Sequence, residues 1–211
     1  MNLKIAFKHL KTILIHKYYV GKYCFKCGLY YQGIVHDLSK FSFTEFLESI
    51  KYYTGTKSPI DKAKEEKGYS LAWFHHRGRN PHHHVYWCDN FDEGMTFVKM
   101  PFKYLLEMFC DFLGAGIAYS KDKKLNIDSE LEWWNNKRKH IALHLYSLYL
   151  MDNLMYLLYK YGDKFLSNKK LIKFLKKNYN EGIYWNKSMD WDSFYKTTLK
   201  NKNTYNKKEI K

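Results

Sequence analysis

The stretch Gly33-Ile-Val-His36-Asp37-Leu-Ser-Lys40 decides how this chain is read. A small apolar run stops on an imidazole and a carboxylate side by side, with a lysine three residues beyond. Extended in both directions, Leu29–Leu38 reads as a nearly all-apolar helix that ends in charged residues. A carboxylate next to a neutral imidazole at a helix end suits a borderline-hard cation, because both groups can converge on it. The plainer reading is a helix terminus carrying its own counter-charge, and the pair alone does not decide between the two.

The flanks are helical as well. Leu3–Tyr23 carries Ile5, Leu10, Ile13, Leu14 and Val20 at helical spacing, and Gly28 marks a break before the next segment. Downstream, Ser42-Phe-Thr-Glu45 is a capping box that opens a helix from Phe43 to about Tyr53. Helices follow near Asp61–Lys67 and Ser70–His76, then a polar loop at Arg77–Pro81 and another at Asp89–Gly94. Pro101 opens a helix to about Ala118, since proline costs nothing at the first helical position. Helices are expected near Ser129–Lys137, Lys139–Tyr161, Leu171–Asn178 and Trp191–Leu199, with Asn201–Lys211 a loose tail. Only three prolines occur in 211 residues, and no repeat is visible. The expected class is all-α: one helical bundle over 1–165 and a helical extension over 166–211.

Composition narrows the function. Aromatic residues make up 19% of the chain, too many for a disordered protein. The net charge of +15 points to an anionic substrate or a polyanionic partner. The chain is lysine-rich throughout, however, and much of the excess lies after Lys160, so part of it serves solubility alone. Met1–Val20 is cut by Lys4, Lys8, Lys11 and Lys17 and lacks the uninterrupted run of a signal peptide. Ile141–Tyr161 holds His144, Asp152, Asn153 and Lys160 and reads as a buried core helix, not a membrane span. Cys24 and Cys27 form one Cys-x-x-Cys pair without a second, which favours reduced thiols over structural zinc and a cytoplasmic location.

Ten histidines are distributed in a telling order. His16 lies late in the first helix, His36 ends the second, His75-His76 and His82-His83-His84 flank a short loop, and Asp111 sits between Cys110 and Phe112. Singly, each has an ordinary explanation as a packed or surface residue. A carboxylate in apolar surroundings such as those of Asp111 wants a metal or a charged partner, and the ordered set is hard to assign to chance. His140 and His144, four residues apart, read as a core or pocket edge because no carboxylate falls at a matching position.

The word at residues 33–40 resembles the signature of the HD-domain metal-dependent phosphohydrolase superfamily, in which a helix of small apolar residues ends in His-Asp. His16 fits that superfamily's upstream histidine, the His75–His84 clusters fit the added ligands of its multinuclear members, and Asp111 fits its late aspartate. The words His75-His-x-x-x-Asn80-Pro-His-His83 and Glu107-Met-x-x-Asp111 also look like those of an uncharacterised bacterial and phage family. The resemblance covers about Ile15–Asp111.

It implies one or two divalent ions (Mn, Fe, Co, Ni or Zn) held by His16, His36, Asp37, His76, His83 and Asp111, with His75 and His82 as near alternatives in each cluster. Lys40, His75 and His82 then stand closest to the chemistry, with Lys40 one helical turn beyond His36 as a phosphate contact. Arg77, Arg79 and Asn80 would hold the substrate, and Glu107 would support the ligands from behind. The implied reaction is hydrolysis of a nucleotide or small phosphoester by an activated water. Two rivals stand beside it. One is a di-iron oxygenase on the same ligand set; the other is a basic nucleic-acid-binding module in which the histidines are structural.

Overall fold

The computed structural model describes residues 2–91, 94–182 and 190–199. Helix α1 (Leu3–Lys26) is capped by Asn2, whose side chain accepts from the Lys4 and Ile5 amides. Its inner face buries His9, Ile13, His16, Val20 and Cys24, while Leu3, Phe7, Leu14 and Tyr18 face outward. A break at Gly28 leads into α2 (Tyr30–Val35). This helix is shorter than the sequence suggested: Tyr30, Tyr31 and Ile34 are exposed, and the chain leaves helical geometry at His36. The Lys17 ammonium donates to the carbonyls of Ile34 and His36 at 2.6 and 2.8 Å, satisfying acceptors that a continuing helix would have used.

A 3-10 turn (Leu38–Phe41) joins α2 to α3 (Phe43–Tyr52). Half of the capping box forms. Ser42 accepts from the Glu45 amide at 3.4 Å, but Glu45 does not reach back and points into the protein instead. Then come α4 (Pro59–Lys67), with proline in its first turn and Gly68 closing it, and α5 (Leu71–Arg77), capped by Ser70. Of the segment read as loop at Asp89–Gly94, the residues 89–91 and Gly94 lie instead in a short antiparallel pair, β1 (Cys88–Phe91) against β2 (Gly94–Phe97), in which Cys88 pairs with Phe97; residues 92–93 lie outside the described residues.

The apolar helix α6 (Phe102–Tyr119) is the spine of the fold, and α1 packs along it. Their closest approach is at Gly114, where even a methyl group would meet Val20 Cγ2 at 2.4 Å. That contact fixes the site. His16 lies one turn before Val20 and Asp111 lies just before Gly114, so the two face each other across the seam. Helices α7 (Ile127–Lys137), α8 (Leu145–Tyr161) and α9 (Lys169–Glu181) complete the bundle. Residues 139–144 are not helical, so α8 begins six residues later than expected. Arg138 instead turns onto Asp152, donating to it through Nε and Nη2 at 3.0 and 2.8 Å.

The main core runs through Leu105, Phe109 and Leu113 of α6, Leu150, Leu154 and Leu158 of α8, and Ile172, Leu175 and Tyr179 of α9. The boundary expected at residue 165 falls inside a 3-10 turn (Gly162–Ser167) whose Phe165 and Leu166 both belong to that core. The short helix α10 (Trp191–Phe194) buries Trp191, whose indole donates to Asn135. The architecture is an all-α bundle, and no helix among the described residues is long and apolar enough to cross a membrane. The tail at Asn201–Lys211 lies outside the described residues.

Candidate metal centre

Asp37 organises the site. It adopts a left-handed conformation (φ 56°, ψ 24°), which aspartate tolerates better than most residues but which still costs roughly 1 kcal/mol. The turn aims both carboxylate oxygens inward, and the residue is 1% exposed. Each oxygen faces a different set of side chains.

Oδ2 lies 3.1 Å from His16 Nε2 and 3.3 Å from His36 Nε2. The same His16 atom is 3.1 Å from Asp111 Oδ1 and 3.4 Å from His36 Nε2. Oδ1 lies 3.2 Å from His76 Nε2 and 3.4 Å from His82 Nε2, and His83 joins this second group. The two groups therefore meet at one carboxylate: His16, His36, Asp37 and Asp111 on one side, Asp37, His76, His82 and His83 on the other. In each, donor atoms lie within 4.8 Å of one another, close enough to hold a metal ion.

The donor chemistry fits a cation. A divalent ion bonded at about 2.1 Å gives polyhedron edges of roughly 3.0 to 3.4 Å between adjacent ligands, the range seen here. The buried atoms Asp37 Oδ1, His82 Nε2 and His83 Nε2 have no hydrogen-bond partner, and all three belong to the second group. Burial, with His82 and His76 beside it, holds His83 well below the ordinary imidazole value and so keeps the ring neutral.

A second layer of carboxylates sets the histidine tautomers. Glu107 Oε1 receives Nδ1–H from His36 at 3.0 Å and faces His82 Nδ1 at 3.2 Å. Glu45 takes His76 Nδ1–H on Oε2 at 2.7 Å and His75 Nδ1–H on Oε1 at 2.6 Å. An ionised carboxylate only accepts, so each Nδ1 carries a proton, and in the neutral imidazole each Nε2 of His36, His76 and His82 offers its lone pair to the centre. Burial would raise both glutamates, but their histidine partners outweigh it and hold them below the ordinary carboxylate value. Burial would likewise lower His36, yet Asp37, Asp111 and Glu107 hold it well above 6.5 when no cation competes.

The remaining residues singled out in the sequence fall into three places. His75 is partly exposed and bound to Glu45, away from the Nε2 cluster. His82 stands among the Asp37-facing histidines, beside His83 rather than in place of it. Asn80 holds the loop, donating to the His76 carbonyl at 2.7 Å and to Ser39 at 2.8 Å. Lys40 is not on a helix with His36; from the 3-10 turn it contacts Asp37 Oδ2 at 2.5 Å, which keeps it cationic. Arg77 stacks on Phe74 and Arg79 reaches the His75 carbonyl at 3.4 Å, so neither lines the cavity beside the cluster.

That cavity, about 250 Å³, is lined by His16, His76, His83 and Asp111 together with Lys40, Lys64 and Lys137. Lys64 and Lys137 escaped the sequence reading because they come from α4 and α7, far from the motifs. His140 and His144 do not line it, and since residues 139–144 are not helical they share no helix face; His144 caps α8. The four cysteines are free thiols, and none joins a cation-holding group among the described residues.

No curated protein and no solved structure matches the chain. The profile of a family of unknown function (DUF5662) matches residues 6–160, and the chain belongs to that family.

Proposed function

We propose that this protein is a metal-dependent hydrolase acting on the phosphate of a nucleotide or other small phosphoester. The observation that carries the reading is the two-sided Asp37 carboxylate, with a four-residue donor group on each oxygen and a lysine-lined cavity opening onto both. Divalent ions bound there supply Lewis acidity and lower the pKa of water towards neutrality.

The chain's own residues do the rest. Glu107 and Glu45 hold the imidazoles in one tautomer and one orientation. Lys40, fixed by Asp37, places a permanent positive charge at the cavity floor, and Lys64 and Lys137 add two more at its wall. Three cations beside a buried donor cluster offset charge on the equatorial oxygens of a phosphoryl group. The same donors suit a di-iron oxygenase, but the lysines favour an anionic substrate over a C–H bond in an apolar pocket.

The test is a screen of nucleoside phosphates and p-nitrophenyl phosphate with Mn²⁺, Fe²⁺, Co²⁺, Ni²⁺ or Zn²⁺ added to metal-stripped protein. Release of phosphate is expected, lost in Asp37→Ala. The double variant Lys64→Ala/Lys137→Ala should raise KM about tenfold or more with metal content unchanged. No phosphate release with any of these ions would sink the reading, as would oxygen uptake with Fe²⁺ in its place.

A further inference from the structure

A second cleft, of about 1090 Å³, continues from the metal-facing cavity. The two share Asp61, Phe112, Ala115, Tyr119 and Trp133 in their walls. Their charge differs. The inner cavity sets Lys40, Lys64 and Lys137 against Glu45, Asp61 and Asp111, whereas the outer cleft sets Lys57 and Lys124 against Asp61, Asp122, Asp128 and Glu130.

Glu130 is the telling group. It is 7% exposed and lines the cleft, and its carboxyl makes no hydrogen bond or ion pair among the described residues. Its carboxyl rests on Gly116, where an added methyl group would lie 1.7 Å from Oε1. Gly116 is therefore the gap in α6 that admits the carboxyl. A buried carboxyl without a partner is costly unless a ligand supplies one. Beside it, Phe112 and Trp133 meet edge to face with ring centroids 4.7 Å apart, and Trp133 is 42% exposed.

We propose that Glu130, Trp133 and Phe112 form a recognition subsite for a planar ring that presents a hydrogen-bond donor next to an acceptor, as a nucleobase edge does, at the far end of the substrate whose anionic end faces the metal centre. This rests on the assignment of the metal centre as the reacting end. The ring stacks on the open face of Trp133, and the Glu130 carboxyl accepts from the ring's donor while donating to the neighbouring acceptor. Burial raises that carboxyl to about 8, which leaves it mainly protonated near neutral pH and able to do both. The spacing is consistent: Gly116 lies five residues beyond Asp111 on α6, about 7.5 Å along the axis at about 1.5 Å per residue.

The test uses nucleosides, which carry the ring without phosphate, so it is independent of any hydrolysis. Calorimetric titration of metal-stripped, full-length protein with adenosine and inosine should give Kd values at least tenfold below those of N6,N6-dimethyladenosine and 1-methylinosine, in which methyl groups remove the donor. Glu130→Gln keeps one acceptor and one donor and should retain this preference within about threefold. Glu130→Leu should abolish it, and Trp133→Leu should weaken all four ligands alike. If Glu130→Leu does not fold, Gly116→Ala displaces the carboxyl and should also abolish the preference. Equal binding of the methylated and unmethylated nucleosides would overturn the proposal, as would absence of all nucleoside binding at millimolar concentration or full selectivity in Glu130→Leu. A protein that binds adenosine selectively yet releases no phosphate would instead refute the hydrolase assignment alone.

Discussion

Replacing Glu107 should weaken cation binding on both faces of Asp37 at once. A single oxygen, Oε1, orients His36 at 3.0 Å and His82 at 3.2 Å, and these two imidazoles belong to different donor groups. Removing a carboxylate behind a ligating histidine typically costs about 10–100-fold in metal affinity, or about 1.4–2.8 kcal/mol at about 1.4 kcal/mol per decade. Glu107→Leu should impose that loss on each group separately. Glu107→Gln keeps an acceptor oxygen but forfeits the charge, and should lose only about threefold at each, since charge-assisted hydrogen bonds are roughly twice as strong as neutral ones. Glu45→Leu is the contrast: of the Asp37-facing imidazoles Glu45 orients His76 alone, so one group should weaken and the other hold. The assay is competition for Zn²⁺ or Mn²⁺ against a chromophoric chelator on metal-stripped protein, with far-ultraviolet circular dichroism as the folding control. Affinities within about twofold of wild type in a folded Glu107→Leu protein would refute the two-layer arrangement, and so would loss at one group only.

Gly114→Ala should destabilise the fold by about 1–2 kcal/mol: the added methyl would also lie 3.1 Å from the Val20 backbone N, so overpacking falls in the upper part of its range at about 2–3 kcal/mol, and helix propensity returns about 1. A urea midpoint equal to or above wild type would refute the close approach of α1 and α6. Glu130 makes stability depend on pH. Its carboxyl titrates near 8 in the fold against about 4.5 when unfolded, so the folded state holds the extra proton between those values. Stability is therefore full below about pH 4.5 and falls as pH rises to about 8, by at most about 5 kcal/mol at about 1.36 kcal/mol per unit; water entering the cleft reduces this to roughly 2 kcal/mol. Urea unfolding of wild type minus Glu130→Gln at pH 5, 6.5 and 8 isolates that slope, and a flat difference would contradict it. Arg138→Ala leaves Asp152 buried beside only the Trp134 indole and should cost about 3 kcal/mol, read as a lower thermal midpoint.

Much of the bundle was legible in the sequence because its helices carry strong periodicity and clear caps: Asn2 aside, Ser42, Pro59, Gly68, Ser70 and Pro101 all mark ends where the chain turns. What escaped was tertiary in origin. Glu45 reads as a capping-box residue, and only the packing of α3 against α5 shows that it orients His75 and His76 instead. The early end of α2 depends on Lys17, nearly twenty residues upstream, reaching over to the carbonyls of Ile34 and His36. Residues 139–144 contain neither proline nor glycine, and Arg138 abandons the helix for an ion pair with Asp152 that no local pattern announces. The antiparallel pair of Cys88–Phe91 and Gly94–Phe97 was hidden by strands of four residues each, too short for a period of two to stand out.

At the site, His16, His36, Asp37 and Asp111 could be picked out by order and spacing, and Glu107 by its helix face. The histidine clusters could not be resolved. A doubled or tripled histidine carries no register of its own, and here His82 and His83 both turn to Asp37 while His75 turns away. The cations that line the cavity beside the cluster were hidden for a related reason. Arg77 and Arg79 lie next to the motif in sequence, whereas Lys64 and Lys137 lie next to it in space.

The most direct test of the central claim is the metal content of the purified protein and of Asp37→Ala, by elemental analysis after equilibration with a limiting excess of Mn²⁺, Fe²⁺ or Zn²⁺ and removal of free ion. Asp37 joins both donor groups, so wild type should retain up to two equivalents of one of these ions and a folded Asp37→Ala protein should retain almost none. Wild-type protein that binds none of them, or an Asp37→Ala protein that binds as much as wild type, would contradict the account.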